Sequence, residues 1–151
     1  IVATDHCPFN YAKEKQDGKD DFRKCPNGAP GVEERMILLF SEGVMKNKIS
    51  INKLVEVACT NPAKVYGMYP KKGIIEPGAD GDLVIIDADA KQTLTHEMMH
   101  GAVDYTSYEG TPLNGKIDLV IQRGNIIAEN NEFKGNRGDG QYIYRKPYFD
   151  I

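Results

Sequence analysis

The spacing of apolar residues divides the chain into a polar beginning, a helical stretch and a strand-rich half. Residues 5–30 are almost wholly polar, and a loop of that length is usually functional when it occurs in a compact domain. Residues 32–67 carry apolar side chains three and four positions apart, the spacing of amphipathic helices. From Lys72 onward, short apolar runs alternate with turn residues, as strands do. The pattern therefore predicts an α+β fold rather than alternating βαβ units.

The first helix is expected after Pro30-Gly31. Glu33 and Glu34 fall in its first turn, where the helix dipole favours acidic side chains. Its predicted inward stripe consists of Val32, Met36, Leu39 or Phe40, and Val44.

A second helix is expected to begin near Ser50 or Asn52, since both residues are good N-caps. It should direct Leu54, Val55 and Ala58 inward. Asn61-Pro62 is expected to stop this helix, because proline clashes with the helical backbone before it. The same pair can begin a short third helix that ends at Gly67.

Strands are expected in five places. Ile1-Val2-Ala3 resembles the end of a buried strand, and the run from Asp82 to Asp87 predicts another short buried strand. Residues 91–95 alternate more weakly. Leu119–Gln122 and Ile126–Ala128 flank Arg123-Gly124-Asn125, which predicts a hairpin. The tail from Glu132 is glycine-rich and then aromatic, with Tyr142, Tyr144, Tyr148 and Phe149.

Composition excludes several functional classes. The chain has 151 residues and a net charge of −3, which offers no broad basic surface for nucleic acid. No apolar run approaches the roughly 20 residues of a membrane-spanning helix, and no secretory leader is expected. The three cysteines are widely spaced and odd in number. They predict neither a disulfide framework nor a zinc ribbon, and indicate a cytoplasmic location.

Two short segments match known functional motifs, but each match has a simpler structural explanation. His96-Glu97-Met98-Met99-His100 matches the H-E-x-x-H pattern of zinc peptidases, which requires a long helix and a third ligand. Gly101 follows at once, and Thr106 stands where a third histidine would be, so we interpret the match as coincidental. Arg137-Gly138-Asp139 is interpreted as a flexible turn.

Asp5 and His6 are the more interesting pair. They follow the apolar residues 1–3 and precede the long polar loop, and catalytic groups of barrel enzymes lie where strands end. A carboxylate there can bind a metal ion and accept a proton from water. Spacing alone favours the alternative that Asp5 caps a turn and His6 lies at the surface, because one Asp-His pair is weak evidence.

A set of ordered motifs changes this balance, because together they resemble the C-terminal third of a dihydropyrimidinase or D-hydantoinase, a cyclic amidohydrolase. The resemblance covers essentially the whole chain. The motifs are Thr4-Asp5-His6-Cys7-Pro8-Phe9, Pro26-Asn27-Gly28, Glu33-Glu34-Arg35, Thr60-Asn61-Pro62-Ala63-Lys64, Pro70-Lys71-Lys72-Gly73, Gly81-Asp82-Leu83-Val84-Ile85, Tyr105 with Glu109-Gly110, and Gly138 through Arg145.

The resemblance implies a metal-dependent (β/α)8 barrel with a small β-sandwich domain. Residues 1–70 would supply the end of the barrel (its last strand, a loop and helices), residues 71–130 strands of the sandwich, and residues 131–151 a tail that contacts another subunit of a homotetramer. Asp5 would bind the more exposed of two Zn2+ ions and act as the catalytic base. Asn27 would hold the ring amide of the substrate through its backbone. His6 is assigned no ligand role.

The same resemblance implies that the other metal ligands, among them a bridging carboxylated lysine, lie outside this chain. We therefore expect the full-length protein to hydrolyse dihydropyrimidines or hydantoins to N-carbamoyl amino acids, as an enzyme of pyrimidine catabolism. The 151-residue chain alone is expected to be inactive, to bind no metal and to self-associate through an uncovered apolar helix face formed by Val32, Met36, Leu39 and Phe40.

Three alternatives remain open at this point. The first is a non-catalytic dihydropyrimidinase-like scaffold protein of the cytoskeleton; those relatives degrade the Asp5–Phe9 and Pro26–Gly28 motifs, which are intact here. Allantoinase and dihydroorotase match the region after Asp87 less well. The metallopeptidase hypothesis for His96–His100 is the most distant of the three.

Overall fold

The computed structural model describes residues 1–147 and combines a helical layer with an antiparallel sheet. This agrees with the predicted α+β class. The helices come first in the chain, and the described part of the sheet has four strands in the order β1-β2-β3-β4. Tyr148 and Phe149 of the aromatic tail lie outside the described residues.

The helical layer contains three α-helices, two of which continue as π-helical turns. Helix α1 spans Arg35–Leu38 and continues as Leu39–Val44; α2 spans Ile51–Val55 and continues as Glu56–Thr60; α3 spans Asn61–Val65. Ser50 is the N-cap of α2, as predicted, and its hydroxyl accepts a hydrogen bond from the Lys53 amide at 3.1 Å.

Two details of the helix prediction are wrong. Pro62 does not stop the helix before it, because the wider π-helical turn joins α2 to α3 and Thr60 and Asn61 keep right-handed helical dihedrals. The predicted third helix is confirmed, since α3 begins at Asn61 and its C-cap Tyr66 directly precedes Gly67. Two of the residues that were predicted to face inward are instead exposed. Val32 precedes α1 and is 48% exposed, and Val55 is 46% exposed, whereas Ile37 and Phe40 are buried.

The sheet is built from β1 (Leu83–Thr93), β2 (Pro112–Gln122), β3 (Asn125–Glu129) and β4 (Glu132–Phe133). The predicted hairpin is confirmed: Arg123 and Gly124 both have positive φ, as a type I′ turn requires. A second tight turn at Asn130 and Asn131, also with positive φ, leads to β4. Asparagine tolerates this conformation better than most residues, and that signal was missed.

Strand β1 is longer and more exposed than predicted. It lies at the edge of the described sheet, and Val84 and Ile85 are 41% and 44% exposed. The acidic run around Asp87 does not end the strand, which continues to Thr93 through an irregular stretch between Asp87 and Lys91.

The core lies between the helical layer and the sheet. Its buried residues are Ile37, Phe40, Leu54, Leu94 and Leu113. A polar contact also joins the two layers, because the buried Ser41 hydroxyl accepts a hydrogen bond from the Asn114 amide at 2.9 Å. This packing holds α1 against β2 and so places the loop before α1 relative to the sheet.

The two ends of the described chain carry little regular structure. Residues 1–3 have no regular secondary structure and pair with no strand in the described part, and Ile1 is 58% exposed. That these residues end a barrel strand stays a prediction. The long polar loop contains two short 3₁₀ helices between Phe9 and Pro26, namely Glu14–Gly18 and Phe22–Lys24. No helix in residues 1–147 has the length and apolar character needed to cross a membrane.

Candidate active site

Backbone pairing brings the two most specific motifs of the sequence side by side. His6 and Ala29 form a parallel β-bridge, in which the Cys7 amide donates to the Ala29 carbonyl at 3.2 Å. Gly28 is needed for this approach, because a Cβ at that position would lie 2.5 Å from the Cys7 Cβ, and its φ is 114°. The neighbours of Asp5 and Asn27 therefore belong to one small structural unit.

The Asp5 carboxylate is exposed and has no hydrogen-bond or ion-pair partner within residues 1–147. Its φ of 49° lies in the left-handed region, where aspartate is found more often than most residues. An exposed carboxylate without such a partner can accept a proton or bind a cation. The described residues offer no cluster of three or more metal-binding side chains, so Asp5 could supply only one ligand of a metal site.

Asn27 presents its backbone rather than a buried side chain. The residue is exposed, and its amide N–H donates to no acceptor among residues 1–147. The carbonyls on either side, of Pro26 and Gly28, both accept hydrogen bonds from the Lys15 ammonium at 2.6 Å. The geometry thus leaves one backbone donor available for a ligand.

His6 has a structural task next to Asp5. Its Nδ1 accepts hydrogen bonds from the amides of Gly31, at 3.2 Å, and Val32, at 3.4 Å. The imidazole therefore holds the end of the loop immediately before α1. That His6 has no ligand role stays a prediction.

Asp104 links the long polar loop of residues 5–30 to the connection before β2, and the sequence analysis did not identify it. Its carboxylate accepts hydrogen bonds from the amides of Ala12, at 2.9 Å, and Tyr11, at 2.6 Å. These donors lower the pKa of Asp104. The Tyr11 and Tyr105 rings also pack at 5.9 Å between centroids. No pattern of side-chain types in the sequence marks Asp104, because the partners of its carboxylate are backbone amides.

The H-E-x-x-H segment does not have the geometry of a peptidase site. Residues His96–Met98 form a single 3₁₀ turn rather than a long helix. His96 Nε2 lies 2.6 Å from the Val103 carbonyl, while His100 Nδ1 lies 2.6 Å from a Glu33 carboxylate oxygen. The two imidazoles are thus engaged by different partners, which argues against the metallopeptidase hypothesis.

His100 links the residues just before α1 to the turn before β4. Its backbone amide donates to Glu33 at 2.9 Å, and its Nε2 lies 3.1 Å from the Asn131 carbonyl. The hydrogen bond to Glu33 raises the pKa of the His100 imidazole.

Comparison with known proteins shows which protein family the chain belongs to. A model of the amidohydrolase family matches residues 1–127, so the chain belongs to the amidohydrolase family. The match includes Asp5, Asn27, strands β1 and β2, and the beginning of β3.

Within that family the similar proteins are hydantoinases. A D-phenylhydantoinase from Escherichia coli is 46% identical over 148 residues, covering 98% of this chain and 32% of the relative. The structure of a dihydropyrimidinase from Brevibacillus agri matches with a TM-score of 0.91 at 44% identity, over 95% of this chain and 31% of that chain. A D-hydantoinase (dihydropyrimidinase) from Thermus sp. matches with a TM-score of 0.92 at 36% identity, over 98% and 32%. The chain therefore spans about a third of the length of these relatives.

Proposed function

We propose that this chain is the C-terminal third of a zinc-dependent cyclic amidohydrolase that opens dihydropyrimidine or hydantoin rings to N-carbamoyl amino acids. The observation that carries the proposal is the His6–Ala29 bridge, since it joins the Asp5 motif to the Asn27 motif. Similarity to hydantoinases and a dihydropyrimidinase at 36–46% identity supports the substrate class.

Asp5 is suited to bind one metal ion. Zinc takes carboxylate oxygens as ligands, and the exposed Asp5 carboxylate has no competing partner in residues 1–147. When bound, zinc lowers the pKa of a water molecule and polarises an amide carbonyl. The remaining ligands, including the carboxylated lysine that would bridge two Zn2+ ions, would come from residues outside this chain.

The residues of this chain would then perform two tasks. Asp5 accepts the proton of the attacking water and passes it to the ring nitrogen as the amide C–N bond breaks. The free N–H of Asn27 donates to a carbonyl oxygen of the ring and so orients the substrate. Neither residue completes the reaction alone, and the 151-residue chain by itself should be inactive.

The larger setting is part of the same proposal. Residues 1–70 would complete a (β/α)8 barrel, residues 71–130 would belong to a β-sandwich, and residues 131–151 would contact a neighbouring subunit of a homotetramer. The enzyme would act in the cytoplasm on small cyclic amides in pyrimidine catabolism, without nucleic acid or membrane partners.

The test is an activity assay on the full-length protein that carries this chain. We expect loss of dihydrouracil or hydantoin absorbance, abolished by a chelator and by Asp5→Asn. Asp20→Asn is the matched control, because Asp20 is an exposed carboxylate of the same loop, and it should retain activity.

The outcomes separate the alternatives. Metal-independent activity, or no activity on any cyclic amide, would contradict the proposal. A folded protein that turns over none of these substrates would favour a non-catalytic scaffold, and turnover of allantoin or dihydroorotate alone would favour those enzymes.

A further inference from the structure

We propose that Lys15 is a positioning residue for substrate binding: its ammonium holds the Pro26–Gly28 turn so that the Asn27 N–H is presented to the ring carbonyl. The inference rests on the proposed function, because it concerns how the same site binds its cyclic amide. Nothing in the spacing of Lys15, twelve positions before Asn27, points to this role.

The geometry at Lys15 is specific. Its Nζ donates to the Pro26 and Gly28 carbonyls, each at 2.6 Å, and these two groups flank Asn27. The same Nζ lies 5.6 Å from the centroid of the Phe9 ring, within the range of a cation–π interaction. An ammonium has three donors, so two are used by carbonyls and the positive charge faces an aromatic ring. Lys15 thereby links the Asp5–Phe9 motif to the Asn27 turn.

One of these hydrogen bonds acts on the donor itself. The Pro26 carbonyl and the Asn27 N–H belong to the same peptide group. A hydrogen bond from a charged donor is stronger than one from a neutral donor, and hydrogen bonds in series polarise one another. The ammonium on the Pro26 oxygen therefore makes the Asn27 N–H a better donor to a substrate oxygen.

The other effect is conformational. Asn27 is exposed, Gly28 has a φ of 114°, and the turn lies outside any sheet ladder apart from the single bridge at Ala29. Without the ammonium, the turn would sample other conformations, and substrate binding would have to order it. Removing the ammonium therefore weakens substrate binding in two ways. Because both act on the ground state and the transition state alike, the loss should raise KM more than it lowers kcat.

The experiment measures kcat and KM for dihydrouracil or hydantoin in the full-length protein that carries this chain. Lys15→Met keeps the aliphatic stem and removes the charge; we expect about a tenfold or larger rise in KM, with a smaller change in kcat. Lys15→Arg, which can still donate to carbonyls, should recover part of the loss. Lys19→Met is the matched control, because Lys19 is an exposed lysine of the same loop, and it should leave KM unchanged.

Two further measurements separate positioning from loss of structure. Metal content per subunit should be the same in Lys15→Met and wild type, and amide hydrogen exchange should become faster at Cys7, whose amide donates to the Ala29 carbonyl beside the turn. If Lys15→Met does not fold, Lys15→Gln, which can donate to one carbonyl at a time, should fold and give an intermediate KM.

An unchanged KM in Lys15→Met, or a fall in kcat that follows lost metal, would overturn the inference. If the wild-type protein hydrolyses no cyclic amide, the proposed function fails instead. Unchanged exchange at Cys7 in Lys15→Met would reject the claim that Lys15 holds the turn, whatever the activity of the protein.

Discussion

The Thr106 hydroxyl donates a hydrogen bond of 2.5 Å to the Glu34 carboxylate, and both residues are buried, at 5% and 3% exposed. The contact joins the start of α1 to the connection before β2. A buried carboxylate that loses its donor bears the full cost of its desolvation. Glu34 was expected to interact with the helix dipole, whereas it lies at the N-cap of α1 and is held by a tertiary contact.

Thr106→Val should therefore destabilise the chain by about 1–3 kcal/mol, because it keeps the shape of the side chain and removes the donor. Urea unfolding at a fixed protein concentration measures this change. Thr106→Ser retains the hydroxyl and should cost less, and Thr93→Val, at an exposed position of β1, should have little effect. A Thr106→Val variant as stable as the Thr93→Val control would contradict the assignment.

The pair formed by His100 and Glu33 should make stability depend on pH. The pKa of His100 is raised in the folded chain, so protonation favours the folded state. The stabilisation is complete below the ordinary histidine pKa of about 6.5 and is lost as the pH rises through the raised folded value. The side chains are 47% and 34% exposed, so solvent screens the pair and the change should be on the order of 0.5 kcal/mol.

Urea unfolding across pH 5 to 9, for wild type and Glu33→Gln, tests this expectation. The difference in unfolding free energy between the two proteins should be largest at the acidic end and should shrink toward alkaline pH. A difference that grows with pH would have the wrong sign for a histidine with a raised pKa.

Local signals predicted the elements that depend on local chemistry. Ser50 caps α2 and Arg123-Gly124 turns the hairpin as expected, because a cap and a tight turn require only neighbouring residues. The errors occur where distant residues decide. Pro62 was expected to break the helix, and a π-helical turn accommodates it. Val84 and Ile85 were expected to be buried, and they lie at the edge of the described sheet.

In the candidate site, too, local motifs could be predicted from the sequence, whereas contacts between distant segments could not. Asp5 and Asn27 carry motifs that can be found in the sequence, but their juxtaposition depends on the His6–Ala29 bridge between segments 23 positions apart. Lys15 and Asp104 could not be found, because each acts on backbone groups: Lys15 on two carbonyls and Asp104 on two amides. Backbone partners leave no pattern of side-chain types in the sequence.

Gly28→Ala should impair the full-length protein that carries this chain more than it impairs folding. The added Cβ would lie 2.5 Å from the Cys7 Cβ and 2.6 Å from the Cys7 carbonyl oxygen, at a φ of 114°. The Asn27 turn and the Asp5 loop would have to separate, and a displacement of about 1 Å can cost roughly a hundredfold in rate. We expect a fall of that order in kcat/KM.

Gly101→Ala is the control for this change, because a Cβ at Gly101 meets no atom within 4 Å. That variant should keep wild-type kcat/KM. Wild-type activity in Gly28→Ala would show that the two motifs need not be in contact for catalysis.

The 151-residue chain on its own should self-associate through the groove between α2, α3 and the sheet, rather than through the predicted face around Phe40, because Phe40 is buried. This groove has a volume of about 570 Å3 and is lined largely by apolar side chains, among them Ile51, Val55 and Ile75. These three side chains are 48%, 46% and 83% exposed. Contiguous exposed apolar surface of this kind is removed from water when copies associate or exchange segments.

Light scattering over a range of chain concentrations measures the association, and a charge placed in the groove tests where it occurs. Val55→Lys should shift the chain toward monomer, because association would bury an unpaired ammonium. Val65→Lys is the matched control: Val65 is 47% exposed, on the neighbouring helix α3, and does not line the groove. A monodisperse wild-type monomer, or equal effects of the two lysines, would show that this groove is not the associating surface.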